Sequence, residues 1–167
     1  MIVRELKEED IDAVLRIVSE AKAYFKEKGI PQWQGEYPAR CDIEADRNKG
    51  GYVIIDEEKV VGYCFIAPMQ DSNYKVIEQG QWLNDEPYVV MHRTCVSADC
   101  KGRDIAGLFV EKAAEVAEAA GIHNVRADTH EKNISMRRFL KKHGFRYCGI
   151  VHVADGTPRA AGQLVLK

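Results

Sequence analysis

The stretch Thr94–Phe109, TCVSADCKGRDIAGLF, decides how this chain is read. An apolar strand ends at Val96, a basic glycine-bearing turn follows, and a long helix begins near Asp104. Gly102 permits a backbone turn that a Cβ would hinder. Ala106 and Gly107 keep the first helical turn bare, so a bulky anion can approach its N–H groups. Lys101 and Arg103 add two cations. A diphosphate suits such a site, because free N–H groups and the positive helix end point the same way. Asp104 allows a second reading. A carboxylate at a helix start caps it, and the turn is then a plain strand-to-helix connection with solvated cations. From this stretch alone the two readings stand about even.

The rest of the chain sets the frame. Its 167 residues predict one domain, spanning 1–167, with one good core. Hydrophobic residues make up 46% and charged residues 30%, as in ordinary soluble globular proteins. The net charge of -2 disfavours nucleic acid as a partner. No apolar run is long enough to span a membrane, so no membrane partner is expected. The N-terminal MIVRELKEED is acidic and alternating, unlike a signal peptide. Five scattered cysteines, with no Cys-x-x-Cys pair, suggest neither a disulfide framework nor a zinc site. A cytoplasmic, reducing compartment follows as the expectation.

The pattern predicts the order β-α-loop-β-β-β-α-β-α-β-β. IVREL opens as a strand, and Ile11, Val14, Leu15, Val18 and Phe25 fall at helical spacing. GIPQWQGEYPARCD reads as irregular. Residues 51–69 read as a hairpin around the turn DEEK. QDSNYKVIEQGQWLNDEP reads as loop with room for a short helical turn, and YVVMHRTCV as the fourth strand. The helix from Asp104 stops at Gly121. HNVRADT is a short strand, and the next helix carries Ile134, Met136, Phe139 and Leu140 on its apolar side. Two strands around ADGTP close the chain. Such mixed order predicts an α/β (α+β) sandwich on a mostly antiparallel central sheet flanked by helices.

A second stretch, DTHEKNISMRRFLKKHGFRYCG, sharpens the first. Its strand ends in Asp128, Asn133 starts the next helix, and Gly144-Phe145 close it. Taken together, the two stretches resemble the GNAT superfamily of acyl-CoA-dependent N-acetyltransferases, closely from about Val89 to Val153. The family's turn runs Arg/Gln-x-x-Gly-x-Gly/Ala, and here it is Lys101-Gly102-Arg103-Asp104-Ile105-Ala106. The chain is also similar to a small bacterial subgroup with W-Q near residue 33 and WLNDEPY before the fourth strand. The resemblance implies acetyl-CoA as cofactor and transfer of its acetyl group to an amine by direct attack in a ternary complex. It implies that backbone groups of Thr94, Cys95 and Val96 bond the pantetheine arm like an added strand, which its two amides make reasonable. It further implies that Gly102, Arg103, Asp104, Ile105, Ala106 and Gly107 hold the pyrophosphate and that Asn133 bonds the cofactor. The position of Asn133 also suits a helix cap.

Two departures from the family pattern stand out. Asp104 replaces the usual glycine, and two unit charges about 4 Å apart cost roughly 1 kcal/mol in water. The expectation is weakened but retained CoA binding. Leu140 replaces a tyrosine that protonates the leaving thiolate in many members, so Tyr147, water or another group must supply that proton.

The base candidates are His92 and Asp128, which ends its strand five residues before Asn133, where some members of the resembled family carry a glutamate base. On strict alternation His92 shares a face with Val90 and Thr94. Histidine as a residue type suits proton transfer at neutral pH, although a half-buried structural histidine fits the pattern equally. His130 reads slightly better as a polar loop residue. Trp33, Tyr37, Trp82 and Asp85 lie in irregular stretches and are candidates for the acceptor side, the tryptophans reading equally well as loop anchors. Cys95 and Cys148 read as buried small hydrophobes rather than nucleophiles. A CoA-binding sensor with little catalysis is the second functional reading, and an interaction domain without cofactor the third. The acceptor stays open between small-molecule and peptide amines, and a homodimer is an open assembly.

Overall fold

The computed structural model describes residues 1–167. The elements are β1 (Ile2–Glu5), α1 (Ile11–Glu27), α2 (Arg40–Asp46), β2 (Gly51–Asp56), β3 (Lys59–Pro68), β4 (Val89–Val96), α3 (Gly107–Ala119), β5 (Asn124–Thr129), α4 (Ile134–Lys142), β6 (Arg146–His152) and β7 (Pro158–Val165), with short 3-10 turns at 8–10, 72–74 and 98–100. The seven strands form one mixed sheet in the order β1-β2-β3-β4-β5-β7-β6. The β1–β2, β2–β3, β5–β7 and β6–β7 ladders are antiparallel, and β4–β5 is parallel. This is the mostly antiparallel α/β sheet the sequence pattern predicts. Internal contacts gather into two compact units: residues 1–67 with 92–112, and residues 68–91 with 113–167.

In the first unit, α1 buries one stripe: Ile11, Val14, Ile17, Val18, Ala21 and Phe25. Apart from Phe25, these pack with Leu6, Ile43, Val53, Tyr63 and Cys95 into a core cluster. Each fully buried side chain of this size contributes about 1.5–3 kcal/mol relative to exposure. The β2–β3 hairpin turns on Glu57 and Glu58, with φ of 46° and 67°. Both turn residues are left-handed, as a two-residue turn matching strand twist requires. Residues 40–46, the first three of them the end of the stretch read from sequence as irregular, form α2. Asp42 Oδ2 accepts the Ala39 N–H at 2.7 Å to close its first turn, and Ile43 and Asp46 are its buried residues. Seven residues with so few apolar positions leave no periodic signal, so only packing defines the helix.

In the second unit, β5 pairs with β7 from Asn124↔Val165 to Thr129↔Ala160. The WLNDEPY segment docks on this pair through a polar network. Arg126 lies with its guanidinium carbon 4.1 Å from the ring centroids of both Trp82 and Tyr88. It donates to the Asn84 carbonyl at 2.8 Å. Asn124 Oδ1 accepts from Asn84 Nδ2 and from Gln163 Nε2, each at 2.9 Å. A buried cation and three amides are tolerable only when every polar atom is satisfied, and no buried side-chain polar atom lacks a partner. On α4 the expected apolar side is corrected: Leu140 is buried, Met136 and Phe139 are half-buried, and Ile134 is exposed.

Candidate functional site

The turn of the first unit differs from its expected form. The regular helix α3 begins at Gly107, three residues after Asp104. Asp104 is therefore not the residue next to the helix; it holds φ of +55° in the left-handed region. Glycine enters that region freely, and aspartate is among the few other residues that visit it. Asp104 thus meets a backbone requirement that glycine would meet without strain. Gly102 is also left-handed, at φ +79°, with open space where a Cβ would stand.

The backbone hydrogen bonds of the turn are donated by Lys101, Arg103, Gly107, Leu108 and Phe109; Gly102, Ile105 and Ala106 donate none of them. Donors left over in a bare, glycine-bearing turn fit a diphosphate. The cations are partly engaged. Lys101 Nζ lies 3.1 Å from the Tyr24 ring centroid, and burial lowers its pKa. Arg103 leans toward Cys100 Sγ at 3.8 Å.

Strict alternation fails in β4. Arg93 holds φ of +56° in the middle of the strand, a left-handed residue of the kind that makes a bulge, so the face-sharing predicted for His92 and Thr94 from strict alternation does not follow. Cys64 Sγ reaches Thr94 Oγ1 at 3.1 Å and donates to the His92 carbonyl at 3.6 Å. Burial pushes the Cys64 thiol up to about 12 and raises Cys95 as well. Neither is a ready nucleophile. All five cysteines are free thiols.

Arg93 is the residue that sequence reasoning missed. Its Nη2 and Nε donate to the two carboxylate oxygens of Asp46 at 2.6 and 2.9 Å, and its Nη1 donates to the Tyr37 hydroxyl at 2.8 Å. Tyr63, fully buried, donates its hydroxyl to the same Asp46 carboxylate. Burial and that carboxylate push the Tyr63 phenol far above its usual range. Tyr37 is thus joined to β4, next to His92 and Thr94. Trp33 instead packs edge-on to Phe25, with ring centroids 5.5 Å apart.

The second unit joins two candidates through a third residue. Tyr74, almost wholly buried, donates its hydroxyl to Asp128 Oδ2 at 2.5 Å. Trp82 packs at a tilt against Tyr74, ring centroids 5.1 Å apart, and donates Nε1–H to its carbonyl at 2.9 Å. Burial and the Asp128 charge hold the Tyr74 phenol in its protonated, donating form. Tyr74 carried no sequence signal, because it lies 54 positions from Asp128. His130 Nδ1 accepts the Lys132 N–H, the polar-loop role expected of it. Asn133 caps α4: its Oδ1 accepts from Met136 N–H at 3.2 Å. Tyr147 on β6 and Asp85 are exposed.

Comparisons with known proteins give this geometry a class. The model of the acetyltransferase (GNAT) family matches residues 14–145, most of the chain. The chain belongs to that family, a family of acyltransferases. A GNAT acetyltransferase from Streptococcus agalactiae is 33% identical, with TM-score 0.90 over 99% of this chain and 95% of that one. A structure described as an acetyltransferase from Staphylococcus aureus is 26% identical, with TM-score 0.74 over 100% of both chains. A GNAT-like decarboxylase in complex with isobutyryl-CoA shares the fold at 14% identity, with TM-score 0.69 over 100% of both chains. No curated protein matches the sequence.

Proposed function

We propose that this protein is an N-acetyltransferase that moves an acetyl group from acetyl-CoA to a primary amine of a small molecule or peptide, by direct attack in a ternary complex. The observation that carries the reading is the turn Lys101–Gly107, with backbone donors left unspent, in a chain of the GNAT family. The isobutyryl-CoA bound by a relative of the same fold supports the cofactor class.

Acetyl-CoA supplies the acyl carbon that the amine nitrogen attacks, and CoA departs as its thiol. The chain's residues do the rest. Backbone groups of Thr94, Cys95 and Val96 hold the pantetheine arm, and Gly102 through Gly107 hold the pyrophosphate. Asn133, the cap of α4, bonds the cofactor. Asp128, held by Tyr74, or His92 takes the amine proton, since only a neutral amine attacks. Tyr147 or water returns a proton to the thiolate. Trp33 and Tyr37 of the first unit and Trp82 and Asp85 of the second are the candidates for binding the acceptor, and the reaction read here needs no metal. The compartment is the cytoplasm.

Thiol release across an amine panel, with pH-rate profiles for Asp128→Asn and His92→Gln, tests this. The variant at the true base loses about a hundredfold or more in kcat. If neither lowers kcat, both assignments are wrong. The buried Leu140 in place of a proton-donating tyrosine favours a second reading, a CoA-binding sensor with little catalysis. Tight CoA binding with no turnover on any amine supports that one.

A further inference from the structure

We propose that Arg93 is a positioning residue whose clamp onto Asp46 and Tyr37 holds the bulge of β4 and so sets the backbone of Thr94–Val96 for acyl-CoA. The inference rests on the reading that this backbone receives the pantetheine arm.

A non-glycine residue persists in the left-handed region only when its surroundings over-determine it. At Arg93 (φ +56°) they do. Two parallel hydrogen bonds fix the guanidinium on Asp46. A third ties it to Tyr37 between α1 and α2, and its flat face lies 4.9 Å from the centroid of the Phe65 ring on β3. Tyr63, also on β3, holds Asp46 from its other side. Four residues from three other segments therefore aim one side chain, and that side chain fixes its own backbone. The next residue is Thr94. A strand that lost the bulge would return to alternation, and the N–H and C=O groups beyond it would turn to other directions. Lysine cannot replace this fork, since it offers a point charge without paired, planar donors. Tyr37 closes the outer end of the clamp: it is about half exposed, at 47%, whereas Tyr63 is fully buried.

A clamp that only stabilised the fold would lower the melting temperature and leave the ligand affinity of the folded protein alone. The test is calorimetric titration of acetyl-CoA, without any amine, into wild type, Arg93→Lys and Tyr37→Phe, well below each melting temperature. It is joined to amide hydrogen exchange at residues 94–96. Arg93→Lys should weaken acetyl-CoA about tenfold, within the range of coupling between neighbouring sites. Tyr37→Phe keeps the ion pair and should weaken it about fivefold, the worth of one hydrogen bond. Both should speed exchange at Thr94–Val96. If Arg93→Lys fails to fold, Tyr37→Phe decides. Folded variants with wild-type affinity and exchange overturn the clamp alone. A wild type that binds no acetyl-CoA overturns the functional reading, and with it the purpose given to the clamp.

Discussion

Asp104 shows what one backbone angle decides. Its spacing within Lys101–Ala106 was legible in the sequence, and its charge marked it as a departure. Its conformation was not legible, because aspartate serves equally as a cap and as a left-handed residue. The structure gives φ of +55°, three residues ahead of α3. Two effects then act together in Asp104→Gly. Relief of left-handed strain favours the variant by up to about 1 kcal/mol, so its melting temperature should equal or exceed that of wild type. Removal of a carboxylate beside bound phosphate is worth roughly another 1 kcal/mol, so acetyl-CoA should bind about fivefold more tightly by calorimetry. Equal affinities would show that the Asp104 charge does not matter to the ligand.

At the scale of elements, periodicity located most of the fold and failed where local geometry departs from the ideal. The hairpin was legible as two apolar runs around DEEK, and its register closes at Asp56↔Lys59. What alternation could not show is that Glu57 and Glu58 both occupy left-handed space, a place better suited to Asn-Gly. The double substitution Glu57→Asn with Glu58→Gly should raise stability by about 1 kcal/mol, read as a higher denaturation midpoint at unchanged slope. A lower midpoint would mean that the two glutamates make contacts worth more than the strain. The bulge in β4 is the reverse case. Alternation put His92 and Thr94 on one face, and a single left-handed residue between them breaks the pattern. No sequence rule places a bulge at an arginine, because only its distant partners hold it there.

For the molecule as a whole, the family and the mixed sheet were readable from two motifs and the order of elements. The short helix α2 was not, because its seven residues are made helical by burial of Ile43 and Asp46. If acetyl-CoA binds the native state alone, mass action stabilises the fold by about 2.7 kcal/mol at a hundred times Kd. For a chain of this length that is a rise of roughly 5–10 °C in melting temperature. A differential scanning titration that shows no rise would remove the cofactor from the reading and favour an interaction domain.

The sequence by itself determined the order of the strands and of the helices other than α2, the glycine-bearing turn at Lys101–Gly107 and a cap-forming residue at Asn133. All three are set by residues within a few positions of one another. The tertiary structure alone decided which side chains are held and aimed. Arg93 meets Asp46 across 47 positions and Tyr37 across 56, and Tyr74 meets Asp128 across 54. Local propensity and periodicity reach about one helical turn or one strand pair. Pairings across fifty residues exist only once the chain has folded, and they fix the bulge beside Thr94 and the carboxylate of Asp128.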